Sequence, residues 1–127
     1  VNKTVLSLNE RGKSIAGSRV LVLGVAYKKN VEDVRESPGV EIIELLLALN
    51  AKVDYSDPHV AAIPRMRRHD LDMHSVAVSA SALEAYDCVV LATDHDGFDY
   101  DLIGQAARLI IDTRGRYRSD GNNVVPA

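Results

Sequence analysis

Arg19-Val20-Leu21-Val22-Leu23-Gly24 is an almost unbroken apolar run ending in glycine, and its reading decides the fold. A strand with one wet face alternates apolar and polar residues, whereas a run apolar throughout is buried on both faces, as in parallel sheets covered by helices. Downstream, Ser37-Pro38 opens a helix, because serine can cap the free N–H groups and proline suits the first helical position. That helix runs to about Leu49, with Ile42, Ile43, Leu45, Leu46 and Leu49 as a broad buried stripe. Asn50-Ala51 turns the chain into a second strand, Lys52 to Ser56, closed by Asp57-Pro58.

Outward from this unit the alternation continues. Ser75-Val76-Ala77-Val78 reads as a weak third strand, and Ser81 caps a short helix over Leu83, Glu84 and Ala85. Asp87 to Thr93 is a strong fourth strand, Tyr100 to Ala107 a helix, and Arg108 to Asp112 a fifth strand. Residues Val60 to His74, with Pro64 and the basic cluster Arg65, Arg67, Arg68 and His69, read as a loop. The tail from Thr113 is polar, and Val1 to Ile15 reads as a helix with Val1, Val5, Leu8 and Ile15 loosely on one side. The expected fold is α/β: a doubly wound, Rossmann-like sheet of five to six mainly parallel strands, with helices on both faces in three layers.

The 127 residues allow one sizeable core and no second one. Hydrophobic residues make up 46% and charged residues 26%, which excludes a disordered or fibrous chain. A net charge of −3 argues against nucleic acid as a partner, since such domains are usually strongly basic. No apolar run reaches the roughly 18 residues of a membrane span, so no membrane partner is expected. Cys88, the single cysteine, can form neither an internal disulfide nor a zinc site and reads as a core residue of a reducing, cytoplasmic compartment. The start at Val1, without a methionine or a signal-peptide layout, suggests a fragment of something longer.

In doubly wound sheets ligands sit beyond the carboxyl ends of the strands, so the loops after Gly24, Ser56, Thr93 and Asp112 are where chemistry is expected. The loop from Gly24 to Pro38 lacks the Gly-x-Gly-x-x-Gly that lets a backbone approach a pyrophosphate. Its Tyr27, Lys28, Lys29 and Arg35 could bind an anionic ligand through side chains, or could be a solvated loop paired with Glu32, Asp33 and Glu36. Asp57 reads as a turn former rather than a ribose ligand. Asp94, His95, Asp96 and Asp99 read as a solvated loop with helix-capping carboxylates rather than a metal cluster, and Arg65 to His69 as a solvated or interdomain patch.

The order of several motifs adds to this. Gly24-Val25-Ala26-Tyr27-Lys28 followed by Asp33-Val34-Arg35-Glu36-Ser37-Pro38 resembles the opening of the C-terminal, UDP-binding domain of the UDP-glucose/GDP-mannose dehydrogenase family. Tyr55 to Val60, Tyr86 to His95 and Ile111 to Gly115 resemble later strand ends of the same domain, so the likeness runs from about Leu8 to Arg118. Thr93-Asp94-His95 and Asp112-Thr113-Arg114-Gly115 look more like the members acting on UDP-N-acetylhexosamines than those acting on UDP-glucose. The family oxidises the C6 hydroxyl of a nucleotide sugar to a carboxylate, reducing two NAD in succession, and supplies polysaccharide precursors.

The resemblance implies roles residue by residue. Tyr27, Lys28 and Arg114 would bind the nucleotide sugar: an ammonium supplies a point charge, and a guanidinium forks two hydrogen bonds onto adjacent oxygens. Arg35 would reach NAD, which the family holds mainly on an N-terminal domain absent from these residues, as are its catalytic cysteine, lysine and asparagine. No catalytic residue and no metal ligand is therefore expected here. Residues 1–16 would be the end of an interdomain, dimerising helix and 17–127 the nucleotide-sugar domain. Partners would be the UDP-sugar and the rest of a homo-oligomeric parent. With right-handed crossovers, the implied strand order is 3-2-1-4-5, with the loop from Tyr27 to Arg35 near Arg114. The competing readings are a pure dimerisation unit using the N-terminal helix and a stand-alone flavodoxin-like signalling or interaction module. A receiver of the latter kind needs paired acids after the first strand, where this chain has Gly24-Val25-Ala26.

Overall fold

The structure, a computed structural model, describes residues 2–26, 30, 37–63, 73–117 and 123–126. Its elements run α1 (Asn2–Glu10), β1 (Arg19–Leu23), α2 (Pro38–Ala48), β2 (Lys52–Ser56), α3 (Ala80–Glu84), β3 (Cys88–Leu91), α4 (Tyr100–Ala106), β4 (Ile110–Asp112) and β5 (Val124–Pro126). The strands form one parallel sheet in the order β2-β1-β3-β4-β5. Leu23 pairs with Ser56 on one side and Leu91 on the other, and Leu91 with Asp112, so the carboxyl ends line up along one rim.

The apolar runs divide between two faces. Val20, Val22, Cys88, Val90 and Ile111 pack with Leu8 of α1 and Val40, Ile43 and Leu46 of α2. Leu21, Leu23, Val89, Leu91 and Ile110 pack with Leu83 of α3 and Ile103 of α4. Each fully buried aliphatic side chain contributes about 1.5–3 kcal/mol, and the layering is the three-layer α/β arrangement that the alternation predicts.

Helix α2 begins as read: Ser37 Oγ accepts the Val40 N–H at 3.3 Å, with Pro38 in the first turn. It ends on Asn50 at φ 67°, where the Asn50 and Ala51 N–H groups donate to the Leu47 and Leu46 carbonyls at 3.0 and 3.1 Å. Its first turn presses on the end of β1, because a Cβ on Gly39 would run into the Gly24 carbonyl. Gly24 itself holds φ 89°, and a Cβ there would lie 2.5 Å from Thr93 Cβ.

Four readings need correction. Ser75–Val78 is not a strand: its one backbone bond to β2 runs from the Val76 N–H to the Tyr55 carbonyl at 2.9 Å, too little for a ladder. The sheet gains β5 instead, from the tail expected to be irregular, with Pro126 tolerated because β5 is an edge strand. Helix α1 stops at Glu10 rather than Ile15: the Lys13 N–H closes back on the Leu8 carbonyl at 2.9 Å and Gly12 takes φ 74°. Helix α3 is capped by Ser79, whose Oγ accepts the Ala82 N–H at 3.1 Å, not by Ser81.

Candidate functional site

Crossovers leave β1 towards β2 and return past it to β3, so the strand order reverses between β1 and β3 and a crevice opens at their carboxyl ends. Side chains and amides stitch its walls together. The Ala92 N–H donates to the Leu23 carbonyl at 2.9 Å, Thr93 Oγ1 to the Ala26 carbonyl at 2.9 Å, and Thr113 Oγ1 to the Leu91 carbonyl at 2.6 Å. The loops after β1, β3 and β4 are thereby held together at that rim.

Asp57, just past β2, is the hub beneath them. It is 3% exposed, and His95, in the loop after β3, is 0% exposed. Asp57 Oδ2 accepts the Val25 N–H at 2.8 Å, the Ala26 N–H at 3.2 Å and the His95 Nε2–H at 2.8 Å. Its Oδ1 accepts the His59 N–H at 2.7 Å. On the far side of the imidazole, the Asn30 N–H donates to Nδ1 at 2.7 Å. Since Nδ1 accepts, the ring proton is on Nε2 and points at Asp57. Asn30, at φ 60°, also pairs with Asp96, its Nδ2 donating to Oδ2 at 2.8 Å and its Oδ1 accepting the Asp96 N–H at 3.0 Å.

Aromatic rings back this loop. His95 lies 5.7 Å from Phe98, Phe98 6.0 Å from Tyr100, and Tyr100 5.9 Å from Tyr117, centroid to centroid. The Tyr100 hydroxyl donates to the His95 carbonyl at 2.8 Å, and burial raises its pKa, so it stays a donor. Burial, helped by the nearby Asp57 charge, likewise pushes the Tyr55 hydroxyl up to about 12; it donates to the Val60 carbonyl at 3.0 Å.

Arg114 stands at the rim. The buried Asp112 winds its turn, accepting the Arg114 N–H at 3.0 Å on Oδ1 and the Tyr117 N–H at 2.8 Å on Oδ2. Arg114 Nε–H donates to the Ala92 carbonyl at 2.8 Å, so an exposed guanidinium is fixed at the end of β3, one residue from the Thr93–Ala26 bridge. Tyr27, Lys28 and Arg35 lie outside the described residues, as do Lys29, the acids Glu32, Asp33 and Glu36, and the basic cluster Arg65 to His69.

Two expectations change here. Asp57 does form the expected turn, through the His59 N–H, but it also ties β2 to the loops after β1 and β3. His95 is not solvated but buried, while Asp99 is the expected helix cap, accepting the Leu102 N–H at 3.1 Å. The only sequence signal for the pair was position: Asp57 and His95 both follow strand ends. Among the described residues, no three His, Cys, Asp or Glu side chains are grouped to hold a metal ion.

The described residues at the junction of β1 and α2 do not fit the pyrophosphate of NAD. The Val25 and Ala26 amides, which would face phosphate oxygens, are committed to Asp57. The space beside Gly24, where a backbone would approach a ligand, is filled by Thr93.

Comparison with known proteins bears on what the crevice holds. The profile of the UDP-glucose/GDP-mannose dehydrogenase family, UDP binding domain, matches residues 21–119. UDP-N-acetyl-D-mannosamine dehydrogenase of Methanococcus maripaludis is 37% identical over 99 residues, covering 77% of this chain and 21% of that protein. UDP-glucose 6-dehydrogenase of Rhizobium meliloti is 32% identical over 114 residues, covering 86% of this chain and 26% of that protein. The solved UDP-glucose dehydrogenase of the hyperthermophilic archaeon Pyrobaculum islandicum superposes with a TM-score of 0.69 at 32% identity, over 98% of this chain and 28% of that one. This chain thus spans 21% to 28% of the length of these relatives.

Proposed function

Because this chain belongs to the UDP-glucose/GDP-mannose dehydrogenase family, as its UDP binding domain, we infer that its crevice holds the nucleotide of a UDP-sugar through Tyr27, Lys28 and Arg114. The observation that carries this is the fixed guanidinium of Arg114: its Nε is spent on the Ala92 carbonyl, yet the residue stays exposed beside the reversal of strand order. A guanidinium held in that way presents its plane to diphosphate or ribose oxygens at little further entropic cost. Lys28, two residues after the anchored Ala26 in sequence, is the second cation of this reading.

The parent activity on this reading is NAD-dependent oxidation of the sugar C6 hydroxyl to a uronate for polysaccharide precursors, in the cytoplasm. The substrate is a UDP-N-acetylhexosamine. NAD is held by another domain, with Arg35 reaching towards it, and residues 1–16 lead in from a helix through which the parent assembles as a homo-oligomer. The misfit of the β1–α2 junction to a pyrophosphate supports a cofactor site elsewhere.

Titration of the chain with UDP, followed by calorimetry and amide chemical shifts, tests the reading. Binding is expected to be weak, since one wall leaves much of the ligand wet. Lys28→Ala and Arg114→Ala should each weaken it by about tenfold, the loss of one charge-assisted hydrogen bond. Binding indifferent to both substitutions would overturn the assignment.

A further inference from the structure

The Asp57–His95 pair brackets one short stretch of chain. Upstream, the Val25 and Ala26 amides donate to Asp57; downstream, the Asn30 amide donates to His95 Nδ1. Between these anchors lie Tyr27, Lys28 and Lys29, two of which the nucleotide reading uses. The two halves of the clamp are joined by the 2.8 Å bond from His95 Nε2–H to Asp57 Oδ2, inside a fully buried pocket. Solvent competes poorly there, so the geometry is set by the protein alone.

We propose that Asp57 and His95 are positioning residues for the nucleotide site, a buried carboxylate–imidazole clamp that fixes both ends of the segment bearing Tyr27 and Lys28. The carboxylate supplies to the β1 loop the negative charge that a bound pyrophosphate supplies in a dinucleotide fold. The loop's amides are therefore satisfied internally, and its side chains are left to contact the ligand. The imidazole is suited to the link because it donates at Nε2 and accepts at Nδ1, facing two loops at once. The proposal rests on the reading that Lys28 contacts the nucleotide.

UDP affinity in a double-mutant cycle tests it. His95→Gln keeps a donor within reach of Asp57 and loses the acceptor for Asn30; His95→Asn keeps an acceptor near Nδ1 and loses the reach to Asp57. Measured well below their unfolding temperatures, both should bind UDP about tenfold more weakly than the parent chain. Lys28→Ala added to either should weaken binding by less than it does alone, because the clamp acts through Lys28. In the parent chain, the imidazole 15N signals of His95 should show the proton on Nε2.

Losses that simply add, or His95 variants that bind as the parent does, would overturn the clamp while leaving the nucleotide site standing. A parent chain whose amides do not respond to UDP at all would overturn both. If both His95 variants fail to fold, the parent chain's imidazole decides: a proton on Nδ1, which could not then accept the Asn30 amide, would overturn the clamp, and a proton on Nε2 with ring signals that move on UDP addition would support it.

Discussion

Asp87 lies at the end of the sheet away from the crevice and shows how one carboxylate ties local chain to core. Its Oδ1 accepts from Lys13 Nζ at 2.5 Å and its Oδ2 from the Arg19 N–H at 2.9 Å, so it joins the segment after α1 to the starts of β1 and β3. Lys13 first, and the Arg19 amide second, hold its carboxyl below the ordinary 3.8. A carboxyl depressed in the folded state adds stability that is fully present above the unfolded value and is lost as pH falls through the folded one. The pair is partly open to water, so its contribution is at most about 1 kcal/mol. Asp87→Asn should therefore lower the denaturation midpoint at neutral pH. The gap to the parent should begin to close as pH falls below 3.8 and close fully only below the lowered folded value, where both states carry the proton. A gap independent of pH would show that the charge is irrelevant and only shape matters.

At the scale of elements, α2 separates what sequence reveals from what it hides. Its boundaries were legible because they are local chemistry: Ser37-Pro38 at one end and Asn50 in a left-handed turn at the other. Its buried face was only half legible. Five large apolar residues suggest a broad stripe, but the sheet covers the arc of Gly39, Val40, Ile43 and Leu46, leaving Leu45 54% and Leu49 40% exposed. Composition gives the amount of apolar surface, and only the packed partner decides which arc is covered. Leu45→Lys and Leu49→Glu should thus shift unfolding free energy by no more than about 0.5 kcal/mol. Ile43→Ala and Leu46→Ala should each cost about 2–5 kcal/mol in the same urea titration.

The same logic separates the strands and the site. β1 and β3 were readable as apolar runs and β2 from the Asn50-Ala51 turn before it and Asp57-Pro58 after it, whereas β5 is a three-residue edge strand, too short for any period to show. Arg114 was singled out by the family resemblance, in one of the loops that follow strand ends. The Asp57–His95 clamp was not, because its partners stand 38 residues apart and meet only through the parallel pairing of β2, β1 and β3.

At the scale of the whole molecule, the one cysteine of the sequence bears on what this chain can do alone. Oxidising a primary alcohol to a carboxylate through a thiol-bound intermediate needs a thiolate and a place for the hydride acceptor. The single cysteine, Cys88, lies within β3 at 0% exposure, and burial pushes its thiol up to about 12. Such a thiol is held in its neutral, unreactive form, inside the sheet. Among the described residues of the β1–α2 junction, Asp57 takes the Val25 and Ala26 amides and Thr93 fills the space beside Gly24, which leaves no seat there for the acceptor's pyrophosphate. The purified 127-residue chain, given NAD with UDP-N-acetylhexosamines or UDP-glucose, should form no NADH above a protein-free blank. Cys88 should react with a disulfide reagent only once denaturant unfolds the sheet. NADH formed at a rate proportional to chain concentration and abolished by Cys88→Ser would show that β3 opens to substrate and that the thiol is no mere core residue.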